Sequence, residues 1–108
     1  MSENRTEKII RVIKEAAASF MQLESNGASL VTITEVRLSK DEKYANIYFT
    51  VLPEDKEEAV LEFAKRKRSE FRQYAKSKTR LGRIPMFDFD IDLGEKHRQK
   101  IDIISLKS

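Results

Sequence analysis

Residues 65–83, KRKRSEFRQYAKSKTRLGR, carry nine lysines and arginines against one acid, Glu70. Cations at this density can neutralise phosphates, and guanidinium groups can also fork onto phosphate oxygens or stack on bases. Two other groups have side chains capable of chemistry. Asp88, Asp90 and Asp92 alternate along MFDFDID, which resembles a divalent-cation cluster. Strand alternation instead places them on one exposed face, where solvent and basic neighbours relieve their repulsion, so no metal is expected. His97, the single histidine, lies in a charged segment with no partner in view. The chain has no cysteine, which excludes disulfides, thiolate metal sites and cysteine nucleophiles. These residues do not compose a catalytic set; the expectation is a binding protein, not an enzyme, with no cofactor and no small-molecule substrate.

Lysines and arginines often decorate solvated helix faces, and the C-terminal end of a helix favours them through its dipole. Such helices usually interleave acids, because pairs at i, i+4 stabilise them. Here only Glu70 is available, so the unpaired charges repel one another, and a polyanion would remove that cost. An acidic protein or a membrane surface would answer the same stripe. Charge distribution favours a localised polyanion contact. Residues 1–64 hold 8 basic and 12 acidic groups, residues 65–83 hold 9 and 1, and residues 84–108 hold 4 and 5, giving partial sums of −4, +8 and −1.

The elements that must position these cations follow from periodicity. At 108 residues, 40% hydrophobic and 36% charged, the composition suits one soluble domain spanning 1–108. Apolar runs are far shorter than a membrane span, and Met-Ser-Glu-Asn-Arg lacks a signal core. The expectation is a cytoplasmic protein with no membrane partner. A first helix should begin near Asn4 or Thr6, with Asn4 and Glu7 as a capping box and Ile9, Ile13, Ala16, Ala17 and Phe20 along one face. Asn26-Gly27 should stop it. In LVTITEVRLS, Val31 and Ile33 are out of phase with Val36 and Leu38, which predicts a bulge near Thr34-Glu35 or partial cover on both faces. In YANIYFTVL, Ala45, Ile47, Phe49 and Val51 alternate with Tyr44, Asn46, Tyr48 and Thr50. Tyr48, on the polar face, suits an ordinary sheet surface better than a base-stacking platform. Ser39 to Lys43 forms the hairpin turn between these strands.

After Pro53, Asp55 can cap a helix that runs to about Leu81, stopped by Gly82 and Pro85. On an ideal helix Val60, Phe63, Ala64, Phe71, Tyr74, Ala75 and Leu81 share one arc. Lys65, Arg68, Arg72, Lys76 and Arg80 lie opposite, continued by Arg83, as a stripe about 25 Å long at 1.5 Å per residue. Lys78 falls on the apolar side but can reach water from the helix end. Lys67 is mid-helix and would be aimed at the core, where an unpaired charge is costly. Either it snorkels at the edge of a narrow contact or the helix bends between about 66 and 70, and a kink or break of packing there is the favoured reading. Phe87, Phe89 and Ile91 mark a half-buried third strand, parallel to one of the others after the helical crossover. A short final helix, with Ile101 and Ile104 packing back, closes the order α-β-β-α-β.

VTITEVRLSKDEKYANIYFTV, then a helix and RIPMFDFDID, resembles the ribosome-binding factor A family. The family's pattern falls on Val36, Leu38, Ser39, Asp41, Ala45, Ile47 and Tyr48, and its Arg-Ile-Pro-x-x-x-Phe on Arg83, Ile84, Pro85 and Phe89. The similarity covers about residues 4–104. It implies an α+β fold: a single KH-like domain in the type II arrangement, a three-stranded sheet backed by helices, with a kinked second helix and a short C-terminal one. It further implies an assembly factor that binds the free small ribosomal subunit and its RNA, assists late maturation including 5′-end processing, and matters most in the cold. The partner expected is small-subunit rRNA, bound by a monomer.

One departure matters. The glycines are Gly27, Gly82 and Gly94, so no Gly-x-x-Gly loop exists. The family's Ala-x-Gly marker of a helix-kink-helix aligns with Arg68-Ser69-Glu70, where both marker residues are missing, although Ser69 could help bend the chain. The RNA contacts expected are Lys65, Arg66, Arg68, Arg72, Lys76, Lys78, Arg80 and Arg83, with Arg37, Lys40 and Lys43 near the hairpin adding a second contact. The rival readings are a general single-stranded RNA-binding KH-like module and a protein-interaction module using the acidic EDKEEAVLE surface.

Overall fold

Asn4 caps the first helix as its spacing predicts. Its Oδ1 accepts the Glu7 backbone N–H at 2.8 Å, and its Nδ2 donates to Glu7 Oε1 at 2.8 Å. The resulting α1 (Arg5–Glu24) buries Ile13, Ala16, Ala17, Phe20 and Met21, a stripe at helical spacing that faces the sheet and the later helices. The computed structural model describes residues 2–24 and 27–99. Asn26 of the expected stop, and Ile101 and Ile104 of the expected final packing, lie outside the described residues; Gly27 takes φ +80, a conformation that favours glycine.

Strands β1 (Leu30–Leu38) and β2 (Tyr44–Leu52) pair antiparallel, and β3 (Met86–Ile91) pairs parallel with β2, giving the order β1-β2-β3. The phase change in β1 is a bulge. Ile33 faces Phe49 and Glu35 faces Tyr48, so Thr34 is the extra residue and both Ile33 and Val36 turn to the core. On β2, Ala45, Ile47, Phe49 and Val51 are buried as expected, and Thr50 is an exception, buried at 5% exposure on the opposite phase. Phe87 and Phe89 of β3 are buried and Ile91 is half-buried.

The second helical region differs in its boundaries. No side chain caps its start: a 3₁₀ turn over Glu54–Lys56 leads into α2 (Glu57–Arg66), so Asp55 is part of that turn rather than the cap. A second helix, α3 (Arg68–Lys78), follows after a break at Lys67. It ends before Leu81 because Thr79 turns extended, at φ −124 and ψ 167, while its hydroxyl and N–H both bond the Ala75 carbonyl. Phe71 of α3, fully buried, sits between the other layers, with ring centroids 5.4 Å from Phe20, 4.7 Å from Phe87 and 5.5 Å from Phe89. After β3, residues 93–99 are helical. Asp92 caps that helix by accepting the Glu95 N–H, and Lys96 pairs with Glu54 and Glu57, at 3.0 and 3.1 Å. The architecture is α+β with helices backing a mixed three-stranded sheet, in the order of the type II KH-like arrangement.

Candidate nucleic-acid interface

The basic segment is not one straight ridge. At Lys67 the backbone takes φ −93 and ψ 9, and its N–H is shared between the carbonyls of Phe63 and Ala64, at 3.0 and 3.2 Å. This sparsely populated bridge conformation is open to residues with a side chain, so the break needs no glycine. Ser69 makes no side-chain hydrogen bond among the described residues and does not cause the bend. Lys67 is also spared the core: its ammonium lies 3.1 Å from the Glu70 carboxylate and 5.8 Å from the Phe63 ring centroid.

The break divides the cations into groups with different neighbours. Around it, Lys65 Nζ and Arg68 Nη1 converge on one oxygen of Asp88, at 3.1 and 3.2 Å, and Arg68 Nε donates to the Lys65 carbonyl at 3.0 Å. Partial burial pushes the Asp88 carboxyl up, but the Lys65 hydrogen bond, the Phe89 N–H and the two cations outweigh it and hold it below its ordinary 3.8. The first half of the expected stripe is therefore partly neutralised by its own sheet. Arg66 stays exposed and outside any ion pair among the described residues.

Farther along α3 the arrangement changes. Arg72 and Lys76 form one wall of an open groove of about 480 Å³. Lys43 and Tyr44 at the start of β2, Gly82, Arg83 and Ile84 of the α3–β3 connection, and Met86 close it. Four cations line this groove and no carboxylate does; none of the four is ion-paired among the described residues. Arg72 is held in place, its Nη2 donating to the Ile84 carbonyl at 3.2 Å, while its buried Nε finds no acceptor among the described residues. Lys43 joins because the β2–β3 ladder extends one step, with Met86 N–H donating to its carbonyl at 2.8 Å.

Lys78 and Arg80 face α1 instead, bordering a hollow with Lys8 and Glu15. Arg80 and Arg83 also border a hollow with Lys8, Arg5 and Glu42, in which Arg5 pairs with Glu42 at 3.0 Å. Lys8 is a basic neighbour that sequence reasoning missed; it sits far from the basic segment in sequence, and only the docking of α1 reveals it. Arg37 stands apart on the outer sheet face, with Nε 3.1 Å from Glu35 and its guanidinium 5.4 Å from the Tyr48 ring centroid. Lys40 is exposed in the hairpin turn and does not line the groove. The three aspartates separate as well: Asp88 is ion-paired, Asp92 is bound to Glu95 N–H and the Thr34 hydroxyl, and Asp90 is exposed.

Comparison with known proteins converges on one group. A family model described as ribosome-binding factor A matches residues 4–105. A ribosome-binding factor A from Kosmotoga olearia is 33% identical over 88 residues, covering 81% of this chain and 70% of its own. One from Coprothermobacter proteolyticus is 30% identical over 94 residues, covering 85% and 69%. The crystal structure of ribosome-binding factor A from Thermus thermophilus superposes with a TM-score of 0.70 at 27% identity, over 82% of this chain and 97% of that one. A model of the Thermus thermophilus protein fitted into a cryo-EM map of its 30S complex gives a TM-score of 0.64 at 28% identity, over 73% and 86%.

Proposed function

The chain belongs to the ribosome-binding factor A family, and from that premise we propose that it is an assembly factor that binds the free small ribosomal subunit in the cytoplasm. The Thermus thermophilus relative fitted in a 30S complex supports this partner. The finer reading is a monomeric, non-catalytic protein, its whole length one RNA-binding domain. It assists late maturation of small-subunit RNA, including its 5′ end, and is needed most in the cold.

The carrying observation is the groove lined by Lys43, Arg72, Lys76 and Arg83 without a carboxylate. Each phosphate seated on a cation releases condensed counterions, so binding should weaken as salt rises. The Lys65 and Arg68 charges, already shared with Asp88, contribute less. Specificity comes from the folded shape of immature subunit RNA, because phosphate contacts position a protein without reading sequence. The acidic-surface alternative is weakened by Glu54 and Glu57, which are engaged by Lys96.

Co-sedimentation tests the reading. The protein should travel with purified free small subunits at moderate salt and not with large subunits or complete ribosomes, and it should leave the RNA uncut in magnesium. Equal association with all particles would reduce it to a general RNA binder, and no association with small subunits would refute it.

A further inference from the structure

We propose that the sheet wall of the basic groove is a nucleobase site, in which Tyr44, flanked by Met86, stacks an unpaired RNA base whose neighbouring phosphates rest on Lys43, Arg72, Lys76 and Arg83. The inference rests on the reading of this groove as an RNA surface.

Among the described residues six large hydrophobic side chains are conspicuously exposed, and only Tyr44, at 61%, and Met86, at 57%, line the groove. They are register partners on β2 and β3. The next pair along, Ala45 and Phe87, is buried, so alternation turns Tyr44 and Met86 outward together. The groove thus bends around the end of the sheet, with cations on its helical wall and an aromatic ring beside a thioether on its sheet wall. A nucleotide carries the matching pair of surfaces, an anionic phosphate and a flat π-face.

The ring is free and its backbone is fixed. Among the described residues no ring or cation stacks on Tyr44. Its N–H donates to Ser39 Oγ at 3.0 Å and its carbonyl accepts the Ser39 N–H at 2.9 Å. A ring mounted on an ordered backbone loses little freedom on binding. Tyr48, the next aromatic along β2, has Arg37 over its ring, 5.4 Å from the centroid. An acidic peptide would satisfy the cations but has no use for an exposed ring on the adjoining wall. Stacking is sequence-tolerant, since every base has a π-face, so the platform adds affinity for unpaired nucleotides rather than a base code.

The test uses the full chain with a short oligouridylate and an abasic oligomer of the same length, in fluorescence anisotropy over a salt series. The wild type should prefer the base-bearing strand about tenfold, the scale of one stacked base. Tyr44→Ala should erase that preference with an unchanged salt slope, and Tyr44→Phe should keep it. Lys76→Glu should weaken both oligomers alike and flatten the slope. Thermal melts confirm that each variant folds. A wild type without preference, or a Tyr44→Ala variant that retains it, overturns the inference. So does equal loss in Tyr44→Ala and Tyr44→Phe, or a Tyr44→Ala defect confined to small subunits, which would indicate a protein contact. Co-sedimentation of the wild type with free small subunits judges the underlying reading separately, and can succeed where the platform fails.

Discussion

Asp88 decides which cations are available. It draws Lys65 and Arg68 onto one carboxylate oxygen, whereas Arg72, Lys76, Arg83 and Lys43 share a groove with no ion pair among the described residues. Replacing Asp88 by Asn should release both cations, raise RNA affinity a few-fold at low salt and steepen the salt dependence by about one phosphate equivalent, to be measured by anisotropy with a short RNA. An unchanged slope would mean that Lys65 and Arg68 do not reach RNA. Acid should act at the same residue. Asp88 and Asp92 are both held below their ordinary 3.8, so their contribution is complete above that value and is lost as pH falls below it through their folded values. Urea midpoints should therefore drop for the wild type as pH falls below about 3.8, and less for Asp88→Asn. Strand alternation made the direction of Asp88 legible from sequence. Its partners were not, because they come from helices 20 and 23 residues away.

The elements were legible where their periodicity broke. Two apolar pairs out of phase in β1 pointed to a bulge or to cover on both faces, and the bulge forms, with Thr34 the extra residue. A lysine aimed at the core pointed to a kink or to a snorkelling side chain, and the backbone breaks at Lys67. Ends were harder to read. Helical spacing carried the stripe on to Arg80, but Thr79 ends α3 by bonding the Ala75 carbonyl, which moves Arg80 and Arg83 into a connection. Thr34 also donates to Asp92 at 2.5 Å and approaches the Tyr48 carbonyl at 3.2 Å, fastening the bulge to the start of the last helix. Thr34→Val should cost about 1 kcal/mol, read as a shift in the denaturation midpoint. Phe71→Ala, which empties the centre of the ring cluster, should cost about 3–5 kcal/mol in the same assay. Ser69→Ala should stay within about 0.5 kcal/mol, because its hydroxyl does not hold the kink; a larger loss would return the bend to Ser69.

For the molecule as a whole, a net charge of +3 conceals an uneven field. Local sums of −4, +8 and −1 located the positive charge along the chain, but its placement in space depends on the break at Lys67, the pairing with Asp88 and the extension of β2 that brings in Lys43. The cations of the segment consequently face the kink, the groove and α1, and the groove combines four that are unpaired among the described residues. The central claim is that this groove, not the kink, carries binding to small-subunit RNA. The most direct test is the slope of log K against log salt for free small subunits. The wild type should give about −3, the value for roughly four phosphate contacts at about −0.7 each. Lys43→Glu/Lys76→Glu/Arg83→Glu should cut that slope to a third or less and abolish association at moderate salt, while Lys65→Gln/Arg68→Gln should leave it nearly intact. The reverse pattern, with the kink variant losing the salt dependence and the groove variant keeping it, would contradict the account.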